Sequence, residues 1–531
     1  MTPDLTILGR AHPRLNARTD VTLRKGRFTL VNDALSPRDA TAADLVAIHD
    51  ALDAHDVEHL LVRRDDDRPV IAVDRARARD TTAALAAEFA VEPFYARAGS
   101  ATEVLIADGA LPGGRVLKLY RPRASRAGKL RYGPDGAVRL EFWDFGAETI
   151  TAPAENALMR RVLPRAEAID AAVELHGRTW RTLGGMFDVL ASDVTFDIDI
   201  VFSWVDGTSS EFQRARAQRM EAYVVGEGDD SEARYRQIDE LKYALRSVYL
   251  YAPWIRRIFI VTDSPAPAWL ADHPAVTIVR SEEFFSDPEA LPTHNSHAVE
   301  SQLHKIEGLS EHFLYSNDDM FFGRPVRPEM FFSPGGITKF IEAQTRIGLG
   351  EPDSARSGFE NAARVNRALL RERFGRVTTR HLEHAATPLR RSVLAALEAE
   401  FPEDFARTAR SAFRSATDVS VTNSLYHYYA LMTGRAVVQT QASVRYIETT
   451  LATAPAEMDR LLKRRDYDFF CLNDGSQPEI SVARRTKTVR AFLERYFSVA
   501  APWEAGPGSP AKLTSEQAVA SSSAARALPA S

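Results

Sequence analysis

A single cysteine, Cys471, stands in the 531 residues. That excludes an intramolecular disulfide framework and any multi-cysteine zinc or iron–sulfur site, and it fits a reducing compartment. Excess charge is also missing: Lys+Arg number 67 against Asp+Glu 72, a net charge of −5. A nucleic-acid binder usually carries a basic excess, so nucleic acid is not an expected partner; a local basic cleft for phosphates remains compatible. Long apolar runs are lacking too. Stretches such as Ile258–Val261 are strand-sized, far short of the roughly 20 residues of a membrane span. The first residues, Met1-Thr2-Pro3-Asp4-Leu5-Thr6, show no basic start leading into an apolar segment, so no signal peptide is read and a cytoplasmic protein is expected. There is no internal repeat. The 45% hydrophobic and 26% charged fractions are ordinary for a globular chain, and the length predicts two or three domains.

The patterning divides the chain. Residues 1–192 predict an accessory α+β module: a helix over Thr41–Ala54 behind a Thr41 cap, strands over Val57–Val62 and Val70–Val73, a helix over Thr81–Phe89, and a β-rich meander over Thr102–Thr151. It offers no catalytic constellation. From 193 to 504 the character changes. Ile198–Val205, Arg257–Thr262, Val276–Val279 and Phe313–Ser316 read as buried parallel strands. They alternate with helices over Tyr235–Tyr249 and His297–Gly308, the second capped by Asn295 or Ser296. This rhythm predicts an α/β, doubly wound domain. A helical part follows over about 358–434, and 505–531, rich in Ala, Ser, Pro and Gly, is expected to be disordered.

Three of these strands end in acids or amides: Asp206, Asp263, and Asn317-Asp318-Asp319. Ligands of open α/β sheets bind beyond the carboxyl ends of the strands, so the three ends should meet at one crevice. A lone Asp after a strand is usually a turn or cap residue. The triplet is stronger, because adjacent carboxylates repel unless a cation such as Mg²⁺ or Mn²⁺ lies between them. Glu300 and His304, four apart on a helix, would share a face; a solvated polar stripe is the blander reading. Zinc is disfavoured, since no His-Glu-x-x-His pattern exists. Pro388, just after His384, is placed to start a helix. Arg414 could clamp a phosphate or make an ordinary surface ion pair. Cys471-Leu472-Asn473-Asp474-Gly475 reads as a turn.

Four blocks in order resemble the Stealth family of sugar-phosphate transferases, which includes bacterial capsule polymerases and the animal lysosomal GlcNAc-1-phosphotransferase. They are Asp197–Gly207 with Phe202-Ser203-Trp204-Val205-Asp206-Gly207; Arg234–Pro325 with Glu240-Leu241-Lys242, Ile260-Val261-Thr262-Asp263, His297-Ala298-Val299-Glu300-Ser301 and Asn317-Asp318-Asp319; Gly358–Tyr429 with His384 and Arg414; and Cys471-Leu472-Asn473-Asp474. Together they span about 195–480. The resemblance implies a nucleotide-binding, glycosyltransferase-A-like catalytic domain. It implies transfer of a hexose 1-phosphate from a UDP-hexose donor to a saccharide acceptor with release of UMP, in exopolysaccharide or capsule synthesis, in the cytoplasm or peripheral to the inner face of the membrane. By analogy Glu300, Asp319, His384 and Arg414 would be catalytic, Glu300 being the candidate base. Trp204, Asp206, Gly207, Asp263, Lys305, Asn317 and Asn473 would bind substrate. Asp318, Asp319 and Asp474 would hold Mg²⁺ (or Mn²⁺), while Arg346–Ser357 is expected among the specificity loops. A glycosyltransferase releasing UDP and a non-catalytic sugar-nucleotide binder are the alternatives.

Overall fold

A computed structural model describes residues 11–64, 68–100, 103–126, 130–207, 214, 238–475 and 478–505. The chain forms two units, Met1–Asp193 with Ala491–Val499, and Val194–Arg490 with Ala500–Ser531. In the first, helices Pro37–Asp53 and Ala78–Glu88 accompany an eight-stranded, mostly antiparallel sheet. Leu45, Ile48 and Leu52 pack with Leu85, Phe94, Leu117 and Leu140 in its core. The first helix begins earlier than the expected Thr41 cap. Ser36 caps it by accepting from the Asp39 N–H, and Pro37 occupies the first turn, where a missing N–H costs nothing. Asp44, on that helix, is buried against the guanidinium groups of Arg121 and Arg123, each at 2.7 Å.

The second unit carries the candidate site. Its central sheet is built from β1 (Ile198–Ser203), β2 (Ile258–Val261), β3 (Val276–Val279), β4 (His312–Asn317) and, after a long excursion, β6 (Thr387–Arg390). The order is β3-β2-β1-β4-β6, with the first four parallel and β6 antiparallel at the edge. Continuous apolar runs make β1, β2 and β4 suited to burial on both faces, and Val201, Phe259 and Phe313 lie in one core with Leu389, Leu394 and Leu425. Strand order reverses between β1 and β4, which opens a crevice at their carboxyl ends. Helix α1 (Glu240–Tyr251) connects β1 to β2; it starts later than the expected Tyr235, and residues 235–237 lie outside the described residues. A second small sheet, β5-β8-β7 (β5, Met320–Phe322; β7, Val444–Glu448; β8, Phe469–Asn473), continues from the end of β4.

Four expectations need correction. The helix expected over His297–Gly308 is short: α2 covers Ser296–Glu300, and Leu303–Lys305 is a separate 3₁₀ turn. The Ser301 hydroxyl donates to the Ala298 carbonyl at 2.7 Å, a local bond that competes with the helix ladder. Pro388 starts no helix; it pairs opposite Leu314 on the edge strand β6, where an absent N–H is tolerated. The region 358–434 is not wholly helical, since Arg380–Leu382 and β6 interrupt α3 (Gly358–Phe374), α4 (Arg391–Glu400), α5 (Pro402–Arg410) and α6 (Tyr426–Met432). Cys471 stands in mid-strand rather than in a turn: Phe469-Phe470-Cys471-Leu472 is an apolar run buried throughout β8. The expected tail lies outside the described residues from 506 onward.

Asp199 anchors the first strand of the site. It is fully buried in β1, binds Arg256 at 2.9 and 2.6 Å, and accepts from the Ser310 N–H at 2.8 Å. Its removal leaves those donors unsatisfied, so Asp199→Ala should destabilise this second unit by about 3 kcal/mol in urea denaturation, with Asp199→Asn costing less.

Candidate active site

The crevice is assembled from four directions. From β1 come Trp204, buried, and Asp206 and Gly207; the Asp206 N–H donates to Ser264 Oγ at 2.9 Å, which ties the loops after β1 and β2 together. The Asp263 side chain accepts from the Ser281 N–H at 2.8 Å, so it serves as a cap for the helical turn after β3. From β4 come Asn317, Asp318 and Asp319, all half-buried. Asn317 lies in register with Ser203, so the triplet stands beside the end of β1.

From β8, the Cys471 thiol donates to Asp319 Oδ2 at 3.4 Å, and the Leu472 N–H donates to the Asp319 carbonyl at 3.0 Å. Burial and then the Asp319 charge push that thiol well above its ordinary pKa, so Cys471 is an inert packing group. Burial, then Asp319, then Glu240 at the start of α1 push the Asp318 carboxyl well above the usual carboxylate range. Carboxylates of like charge held in low dielectric suit a hard divalent cation. Glu240 is an acid that sequence reasoning missed, although it stands within a quoted block. Asp474, by contrast, forms an ion pair with Arg485 and accepts from Thr449 Oγ1 at 2.8 Å. Among the described residues, the triad Asp318, Asp319 and Asp474 does not gather its oxygens into one ligand set. The group that does gather is His49, Asp53 and His59 in the other unit. There His49 Nδ1 and His59 Nε2 are hydrogen-bonded directly at 2.7 Å, and His59 Nδ1 is anchored on the Val57 carbonyl at 2.9 Å.

The fourth direction is the excursion between β4 and β8. Glu300 is buried; Tyr315 Oη donates to its Oε1 at 3.4 Å and Thr422 Oγ1 to its Oε2 at 2.7 Å. Ser203 is a further partner of Tyr315, and the Arg414 charge reaches the same phenol. Arg414 donates to Ser296 Oγ at 2.7 Å, and a Cβ on Gly358 would lie 2.6 Å from Arg414 Cβ, so only glycine lets the two segments meet. His384 packs edge-on against Tyr446 at 5.0 Å between ring centroids. Burial, with the His381 charge second, lowers its pKa, so it is neutral at pH 7. Tyr446 is raised by burial and then by the fields of Cys471, Glu448 and Asp319, and it shares a hydrogen bond with Asn473. It therefore links His384 to the acidic strand end. No pattern in the sequence marked it, because it faces the site only through its pairing with Cys471 in β7–β8.

Lys305 is placed elsewhere: its Nζ donates to Gln302 Oε1 at 2.9 Å and pairs with Glu398 at 2.7 Å, while His304 holds the other Glu398 oxygen at 2.7 Å. Glu300 and His304 thus part company where the helix breaks.

The four conserved regions of the Stealth proteins match in order: conserved region 1 over residues 196–224, region 2 over 234–340, region 3 over 383–431 and region 4 over 459–513. The chain is 58% identical over 490 residues to the exopolysaccharide phosphotransferase CpsY of Mycobacterium tuberculosis, covering 91% of this chain and 92% of that protein. It belongs to the Stealth family. A Stealth relative from Nocardia farcinica, named exopolysaccharide phosphotransferase, is 56% identical over 473 residues, 88% of each chain. The solved galactosyltransferase LgtC, with donor and acceptor sugar analogues, aligns at TM-score 0.28 and 13% identity over 58% of this chain and 98% of its own, too distant to speak for a shared fold. In this Stealth chain, the crevice draws on strand ends inside regions 1 and 2, on His384 and Arg414 in region 3, and on Asn473 in region 4. Tyr446 lies between regions 3 and 4.

The polar supports of the site set its acid stability. Glu398 is raised by burial, but the hydrogen bonds from His304 and Lys305 outweigh this and hold it at about 2. Asp418 is likewise lowered despite burial, by His297 and Ser415. Groups depressed in the folded state contribute stability above their unfolded pKa and lose it as the pH falls through the folded value. Unfolding free energy measured in urea should therefore drop between about pH 5 and 2, and Glu398→Gln should flatten part of that slope.

Proposed function

We propose that the chain transfers a hexose 1-phosphate from a UDP-hexose to a hydroxyl of a saccharide acceptor, releasing UMP, in the synthesis of a phosphodiester-linked exopolysaccharide. What supports this reading is the acidic strand end beside β1 at the switch point of a parallel sheet, with the Arg414 charge reaching Tyr315 and the neutral His384 packed on Tyr446, which feels Asp319. The names of the relatives, exopolysaccharide phosphotransferases, support the reaction class. In such a transfer the acceptor oxygen attacks the β-phosphorus, the bond from that phosphorus to the oxygen bridging the two phosphates breaks, and the C1–O bond of the sugar survives. The glycosyltransferase-A-like character of the domain belongs to the same proposal.

The residues divide the work by their surroundings. Asp318 and Asp319, with Glu240 behind them, would hold Mg²⁺ or Mn²⁺, which when bound supplies charge neutralisation at the phosphates. Arg414 is steered toward the crevice by Ser296 and by the close pass of Gly358, and would spread the charge of the transferring phosphoryl group. His384, neutral and beside Tyr446, is placed to take the proton from the acceptor hydroxyl. Glu300 suits a different role from the base expected at first: with both oxygens engaged by Tyr315 and Thr422, it positions the floor of the crevice. Trp204, Asp206, Gly207 and Asn317 would line the nucleotide end. Asp474 would act through Arg485 by holding the Asn473 turn.

Purified protein incubated with a panel of UDP-hexoses, Mg²⁺ and an oligosaccharide acceptor should release UMP; release of UDP instead would identify a glycosyltransferase. Arg414→Ala should lower kcat by at least about a hundredfold with the fold intact by circular dichroism. Because His384 works unprotonated and its pKa is lowered, the acid limb of the rate profile should lie below that of an ordinary imidazole, and His384→Asn should remove that limb along with most of the activity.

A further inference from the structure

Helix α3 carries an arrangement that the mechanism above leaves unused. Arg364 is 6% exposed, and its Nη1 donates to the Glu360 carbonyl at 2.7 Å while its buried Nε has no hydrogen-bond partner. Arg356 and Arg367 stand beside it. Arg356 donates to the Glu351 carbonyl at 3.3 Å, and Arg367 to the carbonyls of Gly348 at 3.1 Å and Gly350 at 3.4 Å. All three guanidinium groups thus rest on backbone oxygens. Among the described residues no ion pair joins any of them to a carboxylate. Glu360, the acid whose field reaches Arg364, is exposed and offers its carbonyl rather than its carboxylate to that guanidinium. Burial and the charges of Arg356 and Arg367 weaken the hold of Arg364 on its own proton. A buried guanidinium beside two others, with no carboxylate bonded to it, is costly unless an anion completes it.

The loop over them is made for close approach. A Cβ on Gly348 would lie 2.4 Å from Arg364 Nη2, and one on Gly350, at φ +88°, would face both Arg356 Nη atoms at 3.7 Å. Glycine at these positions lets the guanidinium groups sit against the loop, leaving the Arg364 Nε buried and without a partner. The cluster stands on the helix whose first residue meets Arg414. Gly358, which touches Arg414, is six residues before Arg364, about 9 Å along the helix. Phe359 stacks on His381 at 4.7 Å, and His381 lies three residues from His384.

We propose that Arg356, Arg364 and Arg367, under the Gly348–Gly350 loop, form a second anion subsite that takes a phosphate group of the substrate. Planar guanidinium donors in a fixed fork match phosphate oxygens. The phosphate has two possible sources, the diphosphate of the donor and a phosphodiester already present in the acceptor glycan. This inference deepens the proposed function and rests on it for the identity of the substrates, but the subsite itself can be tested without turnover.

The full chain is titrated with inorganic phosphate and with pyrophosphate, following Tm and the heat of binding. Arg356 and Arg367 are half-exposed, so Arg356→Gln/Arg367→Gln should fold, with a ligand-free Tm equal to or above that of the parent because repulsion on Arg364 is relieved. Its affinity for pyrophosphate should fall at least tenfold, and Lys at both positions should restore part of it. Equal affinity in parent and double variant overturns the proposal. Steady-state UMP release then assigns the source. A KM increase for the UDP-hexose points to the donor diphosphate, and an increase only for a phosphodiester-bearing acceptor, not for a neutral one, points to the acceptor. Neither KM moving also overturns it. If the double variant loses pyrophosphate affinity while the parent binds it but never releases UMP, the subsite stands and the proposed function falls, so the two failures are distinguishable.

Discussion

Asp318 and Asp319 stand side by side and half-buried at the end of β4, within the field of Glu240. Much of the crevice can be read as a response to that repulsion. The Cys471 thiol turns toward Asp319, and burial and then that charge raise its pKa; burial and then the charges of Cys471, Glu448 and Asp319 raise the Tyr446 phenol. Low dielectric makes each of these adjustments stronger than it would be at the surface. The negative strand end is thus a fixed feature of the fold, and cationic or neutral groups have to be brought to it from distant parts of the chain.

That delivery depends on buried polar bonds rather than on apolar packing alone. Asn295 Nδ2 donates to Asp418 at 2.8 Å and to the Phe413 carbonyl at 3.3 Å, while its Oδ1 caps α2 at the His297 N–H. Ser415 reaches Asp418 from the other side. The start of α2 and the Arg414 loop are therefore locked together, and Arg414 inherits its direction from that lock. Gly358 completes it by permitting a contact that any Cβ would prevent. Every donor in such a network is specific in direction, which is how it holds geometry as well as energy.

The sheet was legible from the residues because buried parallel strands are written as short apolar runs, and Ile198, Ile258, Val276 and Phe313 all lie in strands of the expected sheet. Acids after the strands were legible for the same reason, since they interrupt apolar text. What misled was local ambiguity. Phe469-Phe470-Cys471-Leu472 precedes Asn-Asp-Gly, and the turn signal masked the strand before it. Ser301 and Gln302 gave no obvious stop to a helical pattern, yet a side-chain bond to Ala298 ends it. Pro388 looked like a helix start because proline favours that place, but the edge of a sheet tolerates it equally.

The sequence by itself determined the α/β class of the catalytic unit, the acidic end of β4 and the family, since these rest on local patterns and their order along the chain. Only tertiary structure decided which residues share the crevice. It sent Lys305 and His304 to Glu398 and Asp474 to Arg485, and it brought Tyr446 beside His384. The reason is physical: strand and helix periods are set within a few residues by steric and hydrophobic preferences, whereas the partner of a charged side chain is chosen by chain segments that meet far apart in sequence, where desolvation and counter-charge settle the pairing.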